Sequence, residues 1–273
     1  MTWSIDPHPF RTPVRTERPG SMPEVGTLLD LPPMSPVRGR RSPDQLEERV
    51  HGWLSTRPVR DPEVSWRRCA RVFDRSGLWP LLAGRVDEHP YVDDDPASPS
   101  GPAEAAAVLE QCWQGCTPVG ADGARLPHPP WPGLAPGRGA TGERGVLFTS
   151  EHEFPRLGGL LLVPATRPAD AVAQLGWSGA ANWSLTSASI SAVLRSWEDR
   201  FGAYLVGIGA ATLDLVVLRP PVTARQCELM AAEHHAFCPD NHVPQTEFDD
   251  QPISHGDHAA RLRRATTWHF WWD

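Results

Sequence analysis

Two stretches near the C-terminus gather the residue types that do chemistry. Ala232-Glu233-His234-His235-Ala236-Phe237-Cys238-Pro239-Asp240 sets two imidazoles, a thiol and two carboxylates close together, and the chain closes on Trp268-His269-Phe270-Trp271-Trp272-Asp273. Such a set can supply a general base, a proton donor, a nucleophile or metal ligands. In a hydrolytic or metal-dependent enzyme, Glu233 or Asp240 would be the base and His235 a ligand or acid. Cys238 would complete the group, with Trp271 and Asp273 at the pocket wall.

Whether these residues can meet depends on the elements that carry them. Thr223, with Gln226 three positions later, forms a capping box, and Pro239 forbids continuation of the helix that follows. On that helix Cys227, Met230, Ala231, His234 and Cys238 share one face, which makes His234 a core imidazole and sends Glu233 and His235 to either side. A zinc site on one helix uses His at i and i+4 beside a Glu, whereas adjacent His diverge. No metal and no cofactor are therefore expected, and His235 and Cys238 are the weak ligand candidates. At a helix C-terminus Cys238 lacks the dipole that lowers a thiol pKa at an N-terminus. Asp240 and Asn241 read as a turn after Pro239. Alternation in the last strand assigns Trp268, Phe270 and Trp272 to the core and puts His269, Trp271 and Asp273 on the other face.

Two other motifs fail on context. Gly176-Trp177-Ser178-Gly179-Ala180 resembles a nucleophile elbow, but a helix precedes it and a loop follows, where an elbow needs a strand and then a helix. Gly207-Ile208-Gly209 opens like a dinucleotide fingerprint, yet a strand follows, so no helix N-terminus faces a phosphate. It reads as a hairpin.

The composition is that of a globular chain, with 273 residues and a net charge of -7. All 26 basic residues are Arg, a sign of GC-rich coding, and the negative balance argues against a general nucleic-acid binder. Five scattered Cys without a Cys-x-x-Cys pair read as free thiols of a reducing cytoplasm. No apolar leader and no membrane-length apolar run is visible, so a cytoplasmic, membrane-free protein is expected.

The chain divides into three. Residues 1–60 are rich in Pro and Arg and are expected to be a mostly disordered arm, with Met22 and Met34 as alternative starts and a short extended segment at 27–33. Residues 61–150 read as an α/β segment: a helix over 62–75 stopped by Gly77, a strand over 78–83 placed at an edge by Pro80, an acidic turn at 93–95, a helix over 102–114 and a long loop. Residues 157–273 supply a buried strand at 158–163, a short helix at 168–175 and an amphipathic helix at 187–201 bearing an Arg195–Asp199 pair. Strands at 203–208 and 212–218, the capped helix, a short helix near 258–263 and the last strand complete it. The fold class expected is α+β, a ferredoxin-like βαββαβ core on which the N-terminal α/β segment packs or which it extends.

Several stretches carry a resemblance: Ser196-Trp197-Glu198-Asp199-Arg200-Phe201-Gly202-Ala203, Arg219-Pro220-Pro221, Ala232-Glu233-His234 through Phe237-Cys238-Pro239-Asp240, and the closing Trp268 to Asp273. Together, and in this order, they resemble the bacterial family called domain of unknown function 4253, over roughly 157–273. Gly77-Leu78-Trp79-Pro80 and Pro132-Gly133-Leu134-Ala135-Pro136 are similar to its longer actinobacterial members. The resemblance implies kinship and brings no activity, cofactor or catalytic residues. The function expected is a non-enzymatic intracellular module, immunity-like or regulatory, that binds a protein or a small molecule. The alternative is an enzyme built on Glu233, His235, Cys238 and Asp240.

Overall fold

The apolar run Leu-Trp-Pro-Leu-Leu-Ala becomes the strand on which the sheet is assembled. The computed structural model describes residues 15–22, 29–38, 50–84, 90, 92, 97–116, 129–137, 158–242 and 253–273. Its strands are β1 (Met34–Arg38), β2 (Val50–Ser55), β3 (Leu78–Ala83), β4 (Gly159–Pro164), β5 (Ala203–Ile208), β6 (Thr212–Val217) and β7 (Thr267–Trp271), in one sheet of order β1-β2-β4-β3-β5-β6-β7. Among the described strands, only β3 and β5 pair in parallel. The helices are α1 (Pro62–Ala70), α2 (Phe73–Ser76), α3 (Ala105–Gly115), α4 (Ala171–Leu175), α5 (Ser187–Phe201), α6 (Ala224–Phe237) and α7 (His255–Leu262). The class is mixed α+β, as expected. No helix among the described residues is long and apolar enough to cross a membrane.

The ferredoxin-like arrangement is not the one the sheet adopts. Its helix-linked strands run parallel, but β4 is antiparallel to β3 and β3 is parallel to β5, so β4 and β5 oppose each other. β3 also lies between them, so of the two arrangements expected the N-terminal segment joins the sheet, and it does so from within as well as at the edge.

Pro80 therefore sits in an interior strand, contrary to the edge expected. It can do so because the ladder to β5 begins only at Leu82, beyond the proline. Indole donors serve the stretch before it. Trp79 Nε1 donates to the Leu205 carbonyl at 2.8 Å and Trp66 Nε1 to the Pro80 carbonyl at 2.7 Å. Phe73 and Trp66 meet Trp79 edge-on.

Part of the expected arm is ordered by the same sheet. β1 pairs with β2, and β2 places Trp53 and Leu54 opposite Leu162 and Leu161 of β4, supplying partners that local composition does not reveal. The extended segment expected at 27–33 is replaced, over its described residues, by a coil that leads into β1. Further upstream, Gly20 N donates to the Gly77 carbonyl and Thr16 N to the Thr166 carbonyl. Gly77 has φ 61°, and a Cβ there would meet the crossing backbone at Arg18 to Gly20, so this crossing needs glycine.

Three helices depart in detail. The expected helix over 62–75 breaks into α1 and α2 at Arg71 and Val72, and Gly77 ends α2. The third is α7, which begins three residues earlier than expected, capped by the Ser254 side chain. The acidic turn at 93–95 lies outside the described residues. α5 matches the sequence bounds, with Thr186 as N-cap and Gly202 as left-handed C-cap. Its Arg195 does not pair with Asp199, however. Arg195 reaches Asp170 at 2.6 Å, and Asp199 accepts from Arg167 and Arg15 at 2.8 and 2.9 Å, because the buried Asp170 and Arg167 outcompete a surface i,i+4 contact.

The core of the C-terminal part centres on Trp197 of α5. It stacks on Phe270 at 5.3 Å and meets Phe237 and Trp268 edge-on, as the alternation of β7 requires. Trp79→Phe retains an aromatic ring and removes the donor to Leu205. A loss of about 1–3 kcal/mol is expected for the orphaned carbonyl, read from urea unfolding with the far-ultraviolet circular dichroism unchanged.

Candidate functional site

α6 carries the chemistry-bearing cluster, and the capping box fixes where it starts: Thr223 Oγ1 accepts from Gln226 N at 3.2 Å and the Gln226 side chain returns to Thr223 N. The helix then buries nearly all of its length, Glu233 included.

Glu233 has no solvent exposure and accepts four hydrogen bonds. They come from Ala135 N at 2.7 Å, Trp197 Nε1 at 2.7 Å, and Arg200 Nη1 and Nη2 at 2.8 and 2.6 Å. With its lone-pair sites taken by donors from separate segments, the carboxylate ties those segments together. Arg200 also donates to the Ala135 carbonyl, and Gln226 to that of Pro136. Segment 129–137 is thereby strapped across α5 and α6.

The strap forms one wall of a cleft of about 580 Å³. Pro129, Pro130 and Pro132 face Leu229, Ala232 and Trp113, and Trp113 Nε1 donates to the Pro129 carbonyl at 2.8 Å. His235, His242 and His255 lie on the cleft, with Arg225 and Glu228 paired at 3.7 Å. Behind His242 stand His258, 4.4 Å away between ring centroids, and His234, whose Nδ1 is 3.2 Å from His258 Nε2. Burial lowers all three: His234 well below its ordinary range, His258 to about 3, and His242 downward, with neighbouring imidazoles adding to each shift. At neutral pH the rings are uncharged. Among the described residues, no group of three or more His, Cys, Asp or Glu is arranged to hold a metal ion.

The residues singled out in the sequence lie in three places. Glu233 is the anchor behind the strap. His235 lines the cleft, edge-on to Trp113 and His242. Cys238, Asp240, Trp271 and Asp273 gather at the far end of α6. There Cys238 Sγ donates to the Trp271 carbonyl, and burial pushes its thiol up to about 12. Asp240 accepts from Trp183 Nε1 at 2.6 Å and Asp273 N at 3.1 Å, fastening the chain end. Asn241 accepts from Trp271 N and donates to the His269 carbonyl, so the turn read at 240–241 docks β7. Trp113, Pro129, Pro130, His242 and His255 were not singled out as site residues, and Pro132 entered only through the resemblance. The hint for them was Pro129-Pro130-Trp131-Pro132, an apolar stretch within an otherwise loop-like region.

Fold and site together define a mixed α+β protein with a buried ionic anchor beside a histidine-lined cleft. Residues 159–273, the C-terminal part of the chain, match the family described as Domain of unknown function (DUF4253), the one that the motifs resemble. No curated protein and no solved structure matches the chain.

Two outcomes follow. Glu233→Ala leaves Arg200, Trp197 Nε1 and Ala135 N unpaired and should cost about 3–5 kcal/mol in chemical unfolding. For pH, the unfolded chain protonates His258 near 6.5 and the native chain only near 3, so the unfolded state holds the extra proton in between. Stability from this ring is complete above pH 6.5 and falls as the pH is lowered toward 3. Glu198, its carboxyl raised to about 7 by burial against the opposing pull of Arg167, acts in the other sense between 4.5 and 7. A comparison of His258→Gln with the wild type isolates the histidine: the variant should lose less stability between pH 7 and 4.5.

Proposed function

We propose that this protein is a non-catalytic binding module of the cell interior, and that it takes a small molecule in the cleft between α3, α6 and the strap. The cleft carries this reading. Its volume lies within the range of small-molecule sites, and its lining is mainly apolar with a few convergent polar groups. The reading gains support from the other residues that an enzyme would need. Glu233 is occupied by four donors, Cys238 is buried with a raised thiol, and Asp240 holds the chain terminus. A regulatory or immunity-like role fits such a module.

A panel of neutral aromatic fragments, followed by ligand-observed NMR, tests it. The wild type should bind members of the panel. Ala232→Phe, which fills the floor, should abolish that binding with circular dichroism preserved, and Glu228→Trp at the exposed mouth should weaken it. Binding untouched by both substitutions removes the cleft as the site.

A further inference from the structure

Four imidazoles run in ring contact from the core to the cleft. His234 of α6 meets His258 of α7 at 5.3 Å between centroids, His258 meets His242 at 4.4 Å, and His242 meets His235 at 5.0 Å. Uncharged rings close around the inner end, where Trp197, Trp268 and Phe270 touch His234. His234 and His242 are buried, and Nε2 of each has no hydrogen-bond partner. A second proton on either ring would create a buried, charged N–H without an acceptor. The charges acting on the set are its own members and basic neighbours: His255 and Arg261 of α7 act on His258, and His255 on His242. The carboxylates on the same elements are engaged elsewhere, Asp257 with Ser254, Glu228 with Arg225, Glu233 with Arg200 and Asp240 with Trp183.

Of the elements enclosing these rings, α7 is held by the least apolar burial. It has 8 residues and buries only Ala259 and Leu262, whereas α6 buries 10 of its 14. An element with so few buried apolar contacts is where local opening occurs. Its head also belongs to the cleft, since Ile253 and His255 line it beside His242.

We propose that α7 is an acid-released flap on the cleft: when the imidazole set takes up protons, α7 leaves α6, the cleft loses the end lined by Ile253 and His255, and a bound small molecule is discharged. The discharge rests on the cleft being the binding site; the movement of the helix does not. The sign follows from burial. Docked, His258 takes a proton only near pH 3, and undocked near 6.5, so the open state holds the extra proton between these values. Burial moves His234 and His242 in the same direction. Docking is therefore fully favoured above pH 6.5 and weakens as the pH falls toward 3, and each proton gained raises the opening equilibrium about tenfold per pH unit.

Amide exchange of the full chain, followed by mass spectrometry from pH 7.5 to 4.5 and scaled to the intrinsic rate at each pH, tests the movement. Below about pH 5.5 the protection of α7 should fall by more than about tenfold per pH unit while α5 keeps its own. In His258→Gln the fall should be about tenfold shallower per unit. Loss of protection by α7 and α5 together in the wild type overturns the proposal without any variant, as does an unchanged slope in His258→Gln. The discharge is read with indole, uncharged over this range, by calorimetric titration at pH 7.5 and 5.0. Its affinity should drop at least about tenfold at the lower pH, and His258→Gln should recover part of that loss. Undocking of α7 with indole bound equally at both pH values overturns the link between helix and cleft. Absence of indole binding at pH 7.5 counts against the cleft reading and removes the discharge, while the exchange data decide the helix movement by themselves.

Discussion

A single buried carboxylate ties the C-terminal helices to the rest of the chain. Taking Glu233 out of water costs several kcal/mol unless its oxygens are fully matched, and the structure matches them with donors from three separate segments: Trp197 and Arg200 on α5, and the Ala135 amide on the strap. α5, α6 and segment 129–137 cannot separate without exposing an unpaired charge. The stretch Ser196-Trp197-Glu198-Asp199-Arg200-Phe201 is best understood through this site. Trp197 and Arg200 hold Glu233, while Glu198 and Asp199 hold Arg167 at the start of the preceding turn. The run that carries the resemblance supplies two adjacent ionic clamps.

The second constraint is the insertion of β3. β4 and β5 bound α4 and α5 in the chain, yet they do not touch, and the space between them is filled by a strand from outside the matched domain. Trp79 secures this junction with a side-chain donor where a parallel ladder has not yet formed. The N-terminal segment is therefore part of the sheet that the C-terminal helices cover, and β1 and β2 extend it on the far side.

Local order was legible and distant pairing was not. The bounds of α5, its glycine stop, the capping box of α6 and the burial of alternate residues in β7 follow from periodicities of 3.6 and 2 and from caps, all encoded within a few residues. His234 could be placed in the core for the same reason. Glu233 could not be read as an anchor, because its partners lie 33, 36 and 98 residues away. The antiparallel relation of β4 and β5 was hidden for a similar reason: a strand–helix–strand pattern in sequence carries no record of a third strand placed between. β1 and β2 lie in a stretch whose composition predicts disorder; β2 finds its partner in β4, and β1 pairs with β2.

The histidines show how such long-range convergence makes a site. His234 and His235 are adjacent on α6 and diverge, which disqualifies them as a helix-borne metal pair. The 3-10 turn Pro239–His242 and α7 then return His242 and His258 to them as two rings in contact: His258 meets His234 in the interior, and His242 meets His235 at the cleft. The opposite wall comes from Trp113 and the prolines, outside residues 159–273. One wall of the cleft is thus written in the matched domain and the other in Trp113 and the segment strapped to it by Glu233. The carboxylate that holds four donors is what positions the second wall of the cleft against α6.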